Sequence, residues 1–178
     1  MNDEQRLIES ILAGHTDDYA VLVDRYGAEV YAIALRIVGN PQDAEDVAQD
    51  ALVKAFSRLD TFNKRSKFST WLMRIAYNLA ISAQRRQSRA TALFSDVEIE
   101  AVSDTMADSL LDEVAEQRVA ALREAIEQLS PADQALLSLF YFDNRSLKEI
   151  AYIISQRETT IATRLSRIRK KLYLLLNK

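Results

Sequence analysis

Apolar residues recur at three- and four-residue intervals over most of the chain, the period of a helix with one buried face. Leu7, Ile8, Ile11 and Leu12 form a short face that ends at Gly14. Thr16 is placed to cap a longer helix carrying Leu22, Val23, Tyr26, Val30, Ile33 and Ile37, which the Gly39-Asn40-Pro41 triplet stops. Asn40 as N-cap and Pro41 in the first turn open a third helix. Its predicted buried stripe is Ala44, Val47, Ala48, Ala51, Leu52, Ala55 and Phe56. A fourth helix begins near Ser69. At about 100° per residue, Leu72, Ile75, Ala76, Leu79 and Ala83 share one face, and Arg74, Tyr77, Asn78, Ile81 and Arg85 share the opposite one. The second face is predicted to be exposed, which is unusual for Tyr77 and Ile81 in a purely structural helix.

From about Gln87 to Glu113 the periodicity weakens and Ser, Asp and Thr scatter through FSDVEIEAVSDTMADS, the composition of a linker. Helical spacing returns at Val119, Leu122, Ile126 and Leu129. Ser130-Pro131-Ala132-Asp133 supplies an N-cap, a proline at the first helical position and an acid at the capping-box position, ahead of Leu136, Leu137, Leu139 and Phe140. SLKE at 146–149 is a second capping box, opening a short helix with Ile150, Ala151 and Ile154 inward. A polar turn and a long helix with Ile161, Leu165, Ile168 and Leu172 complete a helix-turn-helix pattern. The predicted fold is all-α: two small helical domains, 1–90 and 114–178, joined by a flexible acidic linker, 91–113, with the helix-turn-helix in the second.

Composition agrees with this reading. The 178 residues include three Gly and two Pro, too few for a loop-rich or sheet-rich chain. There is no Cys and a single His, His15, so disulfides, thiolate metal sites and His-clustered metals lack ligands. The first ten residues, MNDEQRLIES, are polar where a signal peptide has a cationic start and an apolar run, and no apolar run has membrane-spanning length. A cytoplasmic protein without membrane insertion is expected.

Charge changes the picture further. Residues 1–60 carry 12 acids and 5 bases, residues 64–91 no acid and 7 bases, residues 93–133 11 acids and 2 bases, and residues 143–178 3 acids and 9 bases. Two basic blocks therefore alternate with two acidic ones under a net charge of −3, and each basic block can meet a polyanion. In the second, Thr160, Thr163, Arg164, Arg167 and Lys171 lie on one flank of the last helix, a pattern suited to a duplex groove and its phosphates. The first adds aromatics. Phe62, Phe68, Trp71 and Tyr77 stand among Lys64, Arg65, Lys67, Arg74, Arg85 and Arg86, and rings beside cations suit unstacked bases, at ~1–3 kcal/mol per stacked base. Phe68 falls near the apolar face and is expected in the core; Trp71 lies at its border. A single-strand reader tethered to a duplex reader can grip two sites on one DNA.

Three segments in this order closely resemble the extracytoplasmic-function subfamily of bacterial RNA polymerase sigma factors, within the sigma-70 family. DAEDVAQDALVKAF (43–56) is similar to the family's polymerase-docking segment, FSTWLMRIAYNLAISAQRR (68–86) to its −10 reader, and SLKEIAYIISQRETTIATRLSRIRKKL (146–172) to its −35 helix-turn-helix. The resemblance implies that Asp46, Gln49 and Asp50 dock on core polymerase. It implies that Asn78 and the loop holding Phe62, Asn63 and Lys64 capture a flipped −10 base, while Trp71, Arg74, Tyr77, Arg85 and Arg86 contact the strand or its backbone. Arg157, Thr160, Thr163, Arg164, Arg167 and Lys171 would form the −35 surface. The implied partners are core RNA polymerase, promoter DNA (a −35 duplex and a −10 single strand) and an anti-sigma factor. Neither a cofactor nor a catalytic residue is implied, and the acidic linker would lie along the RNA-exit path. Ser155 and Gln156 stand where the family commonly has Gly and an apolar residue, Arg157 where a small cap is usual, and Ala162 at a position often polar. The start of the recognition helix is thus left open.

Three other readings remain at this point. A helix-turn-helix regulator acting without sigma activity accounts for residues 113–178 but not for the aromatic and basic stripe at 62–86. A carboxylate metal enzyme would use Asp43, Glu45, Asp46 and Asp50, but the Glu-x-x-His pattern of helical metal sites is absent. A helical adaptor binding only acidic proteins would lack the steep salt dependence of DNA binding.

Overall fold

The computed structural model describes residues 3–93 and 113–177, and every regular element among them is helical. Most of the predicted linker, residues 94–112, lies outside the described residues. Helix α1 spans Asp3–Leu12, α2 Tyr19–Val38, α3 Pro41–Ser57 and α4 Phe68–Leu93; α5 spans Glu113–Glu127, α6 Pro131–Tyr141, α7 Leu147–Ile154 and α8 Glu158–Leu176. Helix α4 thus continues past Gln87, where the sequence periodicity fades.

Local chemistry sets the boundaries. Gly39 ends α2 in the left-handed region (φ +83°), its N–H donating to the Leu35 carbonyl at 2.9 Å. One residue later the Asn40 side chain accepts from the Asp43 N–H at 2.8 Å and starts α3. Thr16 does not cap α2: residues Thr16–Asp18 form a 3-10 turn, and α2 begins after it with no side-chain cap bond. Ser130 caps α6 through the Asp133 N–H, but the Asp133 carboxylate accepts from the Ser130 hydroxyl (2.8 Å) rather than from the N-cap backbone. At α7 the capping box is complete: Glu149 Oε2 accepts from the Ser146 N–H at 3.0 Å, and the Ser146 hydroxyl accepts from the Glu149 N–H. Ser155 ends α7 at φ +60°, taking the left-handed position that glycine would occupy without strain. Helix α8 starts at Glu158, and Arg157 holds its N-cap position without a side-chain bond.

Helices α2, α3 and α4 pack on one another, with α1 alongside. Alanines at 44, 48, 51 and 55 are buried on α3, and their small side chains let its neighbours approach closely. Phe56, predicted in that stripe, is 40% exposed and stacks against Tyr19 at 4.9 Å at its rim. In the second half α7 and α5 pack on α8, with α6 beside them. The halves are not apart. Helix α7 lies on α4 and α6 on α2, and the buried apolar residues of both halves form one continuous cluster.

That packing overturns one expectation. Tyr77, assigned to an exposed face of α4, is 6% exposed because the second half covers it. The covered positions Thr70, Arg74 and Tyr77 follow i, i+4, i+7 spacing, a single stripe of α4. Ile153 of α7, outside the predicted inward set, is also fully buried, so this short helix is enclosed on more than one side.

Candidate nucleic-acid interface

The first basic surface is built on α4 and the loop before it. Phe68 is fully buried and anchors a ring cluster, with Phe62 at 5.6 Å, Trp71 at 5.7 Å and Tyr26 at 5.6 Å. Phe62 and Trp71 are half-buried, 5.4 Å from each other, and so present rings held by a rigid base. Tyr26 in turn donates its hydroxyl to Glu4; burial first, and then that carboxylate, push its pKa up to about 12. Asn63 accepts from the Arg65 N–H at 3.1 Å, and Lys64 takes a left-handed backbone (φ +60°) with its ammonium 2.6 Å from Glu9. Asn78, Arg85 and Arg86 are exposed along α4.

Beside these rings lies a recess of about 330 Å³ whose walls include Lys54, Arg58, Trp71, Arg74 and Asn78. The structure thus brings together three of the predicted site residues and adds two cations that sequence reasoning missed, Lys54 of α3 and Arg58 at its C-cap. Lys54 lies in the last turn of α3 and Arg58 just past it, and nothing local shows that this end of the helix meets α4. Thr61, Ile75 and Tyr152 of α7 complete the lining, and the Tyr152 ring lies under the Arg74 guanidinium at 4.8 Å.

The second surface lies on α8. Thr160, Thr163, Arg164 and Arg167 line an open recess of about 520 Å³ with Gln156 and Thr159, two polar neighbours absent from the predicted set. Lys171 is not among the recess residues, and its ammonium donates to the Gln128 carbonyl at 2.9 Å, tying α8 to the end of α5. Arg157 is exposed at the head of the helix. Arg164 is already engaged, with Nε 2.6 Å from the Asp133 carboxylate. It also reaches Tyr77 of α4; burial raises the phenol's pKa and Arg164 opposes that rise.

The acidic face of α3 exposes Asp46, Gln49 and Asp50. Next to Gln49, a largely apolar groove of about 700 Å³ runs between α2 and α3, with Tyr19, Val23, Leu52, Val53 and Phe56 in its walls. Val53 is 68% exposed, an unusual position for a β-branched apolar side chain without a partner surface. Tyr19 donates its hydroxyl to the Leu52 carbonyl at 2.7 Å, and burial pushes its pKa up to about 12. Among the described residues no group of three His, Cys, Asp or Glu side chains converges as a metal site, and no helix is long and apolar enough to cross a membrane.

The Glu149 carboxylate belongs to both halves. It accepts from Ser146 in its own cap, takes the Lys67 ammonium at 3.3 Å and accepts from the Thr70 hydroxyl at 3.4 Å. Burial alone would raise its pKa, but the Ser146 hydrogen bonds and Lys67 together hold it down to about 2. A depressed carboxylate stabilises the fold above its unfolded value of about 4.5, and that contribution is lost as pH falls towards 2. The difference in thermal midpoint between the parent chain and Glu149→Gln is therefore expected to shrink on acidification through that window. A pH-independent difference in paired melting curves would remove Glu149 as the titrating contact.

Two helical units, one with a cationic aromatic face and one with a helix-turn-helix, define a DNA-binding protein of modular construction. Comparison with known proteins sharpens the class. The sigma-70 region 2 family model matches residues 22–90, and the sigma-70 region 4 model matches residues 120–172. The chain is 33% identical over 175 residues to the ECF RNA polymerase sigma factor SigW of Bacillus subtilis, covering 94% of each chain. It is 31% identical to the RNA polymerase sigma-H factor of Pseudomonas aeruginosa, covering 94% of this chain and 90% of that one. The sigma factor RpoE of Bartonella quintana, solved in complex with the anti-sigma factor NepR, superposes with a TM-score of 0.69 at 27% identity, over 90% of this chain and 97% of the other. The chain belongs to the extracytoplasmic-function sigma factors of the sigma-70 family.

Proposed function

We propose that this chain binds core RNA polymerase, brings it to promoters and opens the DNA at the −10 element, acting in the cytoplasm with no covalent chemistry of its own. The observation that carries the reading is the coincidence of two independent divisions of the chain. The region 2 and region 4 matches fall in family order on the two units that carry the two cationic faces. The ring of Trp71, backed by Phe62, and the amide of Asn78 border a recess suited to an unstacked base, with Lys54, Arg58 and Arg74 nearby for phosphates. The Thr160, Thr163, Arg164 and Arg167 surface is shaped to meet a duplex groove. Asp46, Gln49 and Asp50, exposed beside the apolar groove, form the polymerase-docking face. An anti-sigma factor is a further partner, as the complex of the Bartonella relative suggests. A helix-turn-helix regulator acting alone would leave the region 2 match without a role.

Run-off transcription with core polymerase on a mixed genomic template tests the reading: the chain should create discrete new start sites, and a template profile identical with and without it would reject sigma activity. Within that assay, Asp50→Lys reverses one exposed charge and is expected to impair holoenzyme assembly while leaving the helical fold intact. Native-gel assembly equal to the parent's would take Asp50 out of the docking face.

A further inference from the structure

The duplex-reading surface holds a carboxylate where electrostatics alone would have none. Asp133, at the third position of α6, reaches α8 and places its Oδ1 2.6 Å from Arg164 Nε, each side chain being 25% exposed. Arg164 lines the open recess with Thr160, Thr163 and Arg167, so an acid in contact with it repels the phosphates that this face would meet. Such an acid weakens DNA binding unless it acts through the arginine. The carboxylate is itself fixed. Ser130, the N-cap of α6, accepts from the Asp133 N–H at 3.2 Å and donates its hydroxyl to Asp133 Oδ2 at 2.8 Å, so each carboxylate oxygen has its own partner. The first turn of α6 also favours a negative charge at this position.

The tie occupies Nε, one of the five N–H donors of the guanidinium, and the two terminal amino groups keep theirs. A planar fork whose orientation is set in advance loses less freedom when it meets two acceptors on one base edge. Arg167, one turn further along α8, lines the same recess but makes no hydrogen bond or ion pair among the described residues. An unrestrained cation of that kind can follow a phosphate without selecting a base. Resting on the sigma reading and deepening it, we propose that Asp133 is a positioning residue for −35 recognition: it aims the Arg164 fork at a base edge, while Arg167 serves the phosphates. Both helices of the tie belong to the second unit, so the aim is carried into the holoenzyme with that unit.

The test uses holoenzyme formed with the full chain and a panel of −35 duplexes, taken from a start site found by run-off transcription, in which each base pair is replaced singly. Arg164→Lys should lose discrimination at one position, and a preference intact at every position would leave Asp133 nothing to aim. Asp133→Asn is expected to lower discrimination at that same position about tenfold and to spare the others. Simple electrostatics predicts a different change, since removing an acid would tighten binding to every duplex alike. Uniform tightening with the preference intact would overturn the proposal, and so would no change at all. Asp133→Glu keeps the charge but moves the carboxylate, so it should lose the preference too; full discrimination in that variant would reject positioning by geometry. With Arg164→Lys already present, Asp133→Asn should cost no further discrimination, because its route runs through the arginine; an additive loss would mean a general disturbance of α6 and overturn the assignment. Each comparison is a ratio of affinities for two duplexes, so a smaller folded fraction cancels. Should Asp133→Asn fail to fold by circular dichroism, Asp133→Glu carries the test. A chain that starts no transcript fails the sigma reading, whereas discrete starts with full discrimination in the Asp133 variants fail this inference alone.

Discussion

Phe68→Ala is expected to destabilise the chain by about 3–5 kcal/mol, enough to unfold a large fraction of a domain of ordinary stability. Phe68 is fully buried, and three other rings rest on it within 5.7 Å: Tyr26 from α2, Phe62 from the preceding loop and Trp71 from the next turn. Truncation would leave a cavity beneath all of them, which the stiff helices on either side could fill only in part. The lesion would also be functional, since Phe62 and Trp71 would lose the surface that orients them for stacking. Urea unfolding followed by circular dichroism measures the first effect. Strand binding at a temperature where the variant stays folded measures the second. A midpoint shift equal to that of a surface substitution would show that the ring cluster is not a structural anchor.

Arg164→Ala, assayed in holoenzyme, is expected to weaken binding to −35 duplex by ~1–3 kcal/mol if the guanidinium forks onto a base. The polymerase-bound state is the right setting, because in the free chain Arg164 is tied to Asp133 at 2.6 Å and its removal would alter that contact too. Arg164→Lys divides the possible roles. Lysine keeps the charge but loses the planar pair of donors, so base reading should suffer with it and simple phosphate contact should not. Equal affinity of the parent and both variants for promoter duplex would remove Arg164 from the reading surface.

Much of the secondary structure was legible because its determinants are local. Asn40 with Pro41, Ser130 with Pro131 and the Ser146–Glu149 box each open a helix through bonds that span only a few residues, and the apolar spacing names the buried faces of α2, α3 and α8. Thr16 shows where local reasoning stops. A capping side chain is useful only if the backbone after it is α-helical, and here a 3-10 turn intervenes. Ser155 resembles a defect in the sequence and is accommodated by one left-handed residue, which leaves the α7–α8 register intact.

The candidate site divides along the same line. Phe62, Trp71 and Arg74 could be named from charge and ring composition, and so could Thr160, Thr163, Arg164 and Arg167, because each set lies on one helix or its adjoining loop, whereas Asn78 was named only by the family resemblance. Lys54 and Arg58 were missed because they reach the recess beside Trp71 only through the packing of α3 on α4. Lys171 shares the helical flank of Thr160, Thr163, Arg164 and Arg167, but its bond to the Gln128 carbonyl joins two elements and no spacing within α8 shows it.

By itself, the sequence determined the helices, the caps at Asn40, Ser130 and Ser146, the separation of acidic from basic blocks and the two cationic faces, since all of these follow from residues within a few turns of one another. Only the tertiary structure decided that α7 lies against the cationic stripe of α4. The contacts of Tyr152 with Arg74, Glu149 with Lys67 and Arg145 with Glu29 join residues far apart along the chain. No periodicity within a single helix can encode such a pairing, which depends on the shape and charge of both surfaces at once.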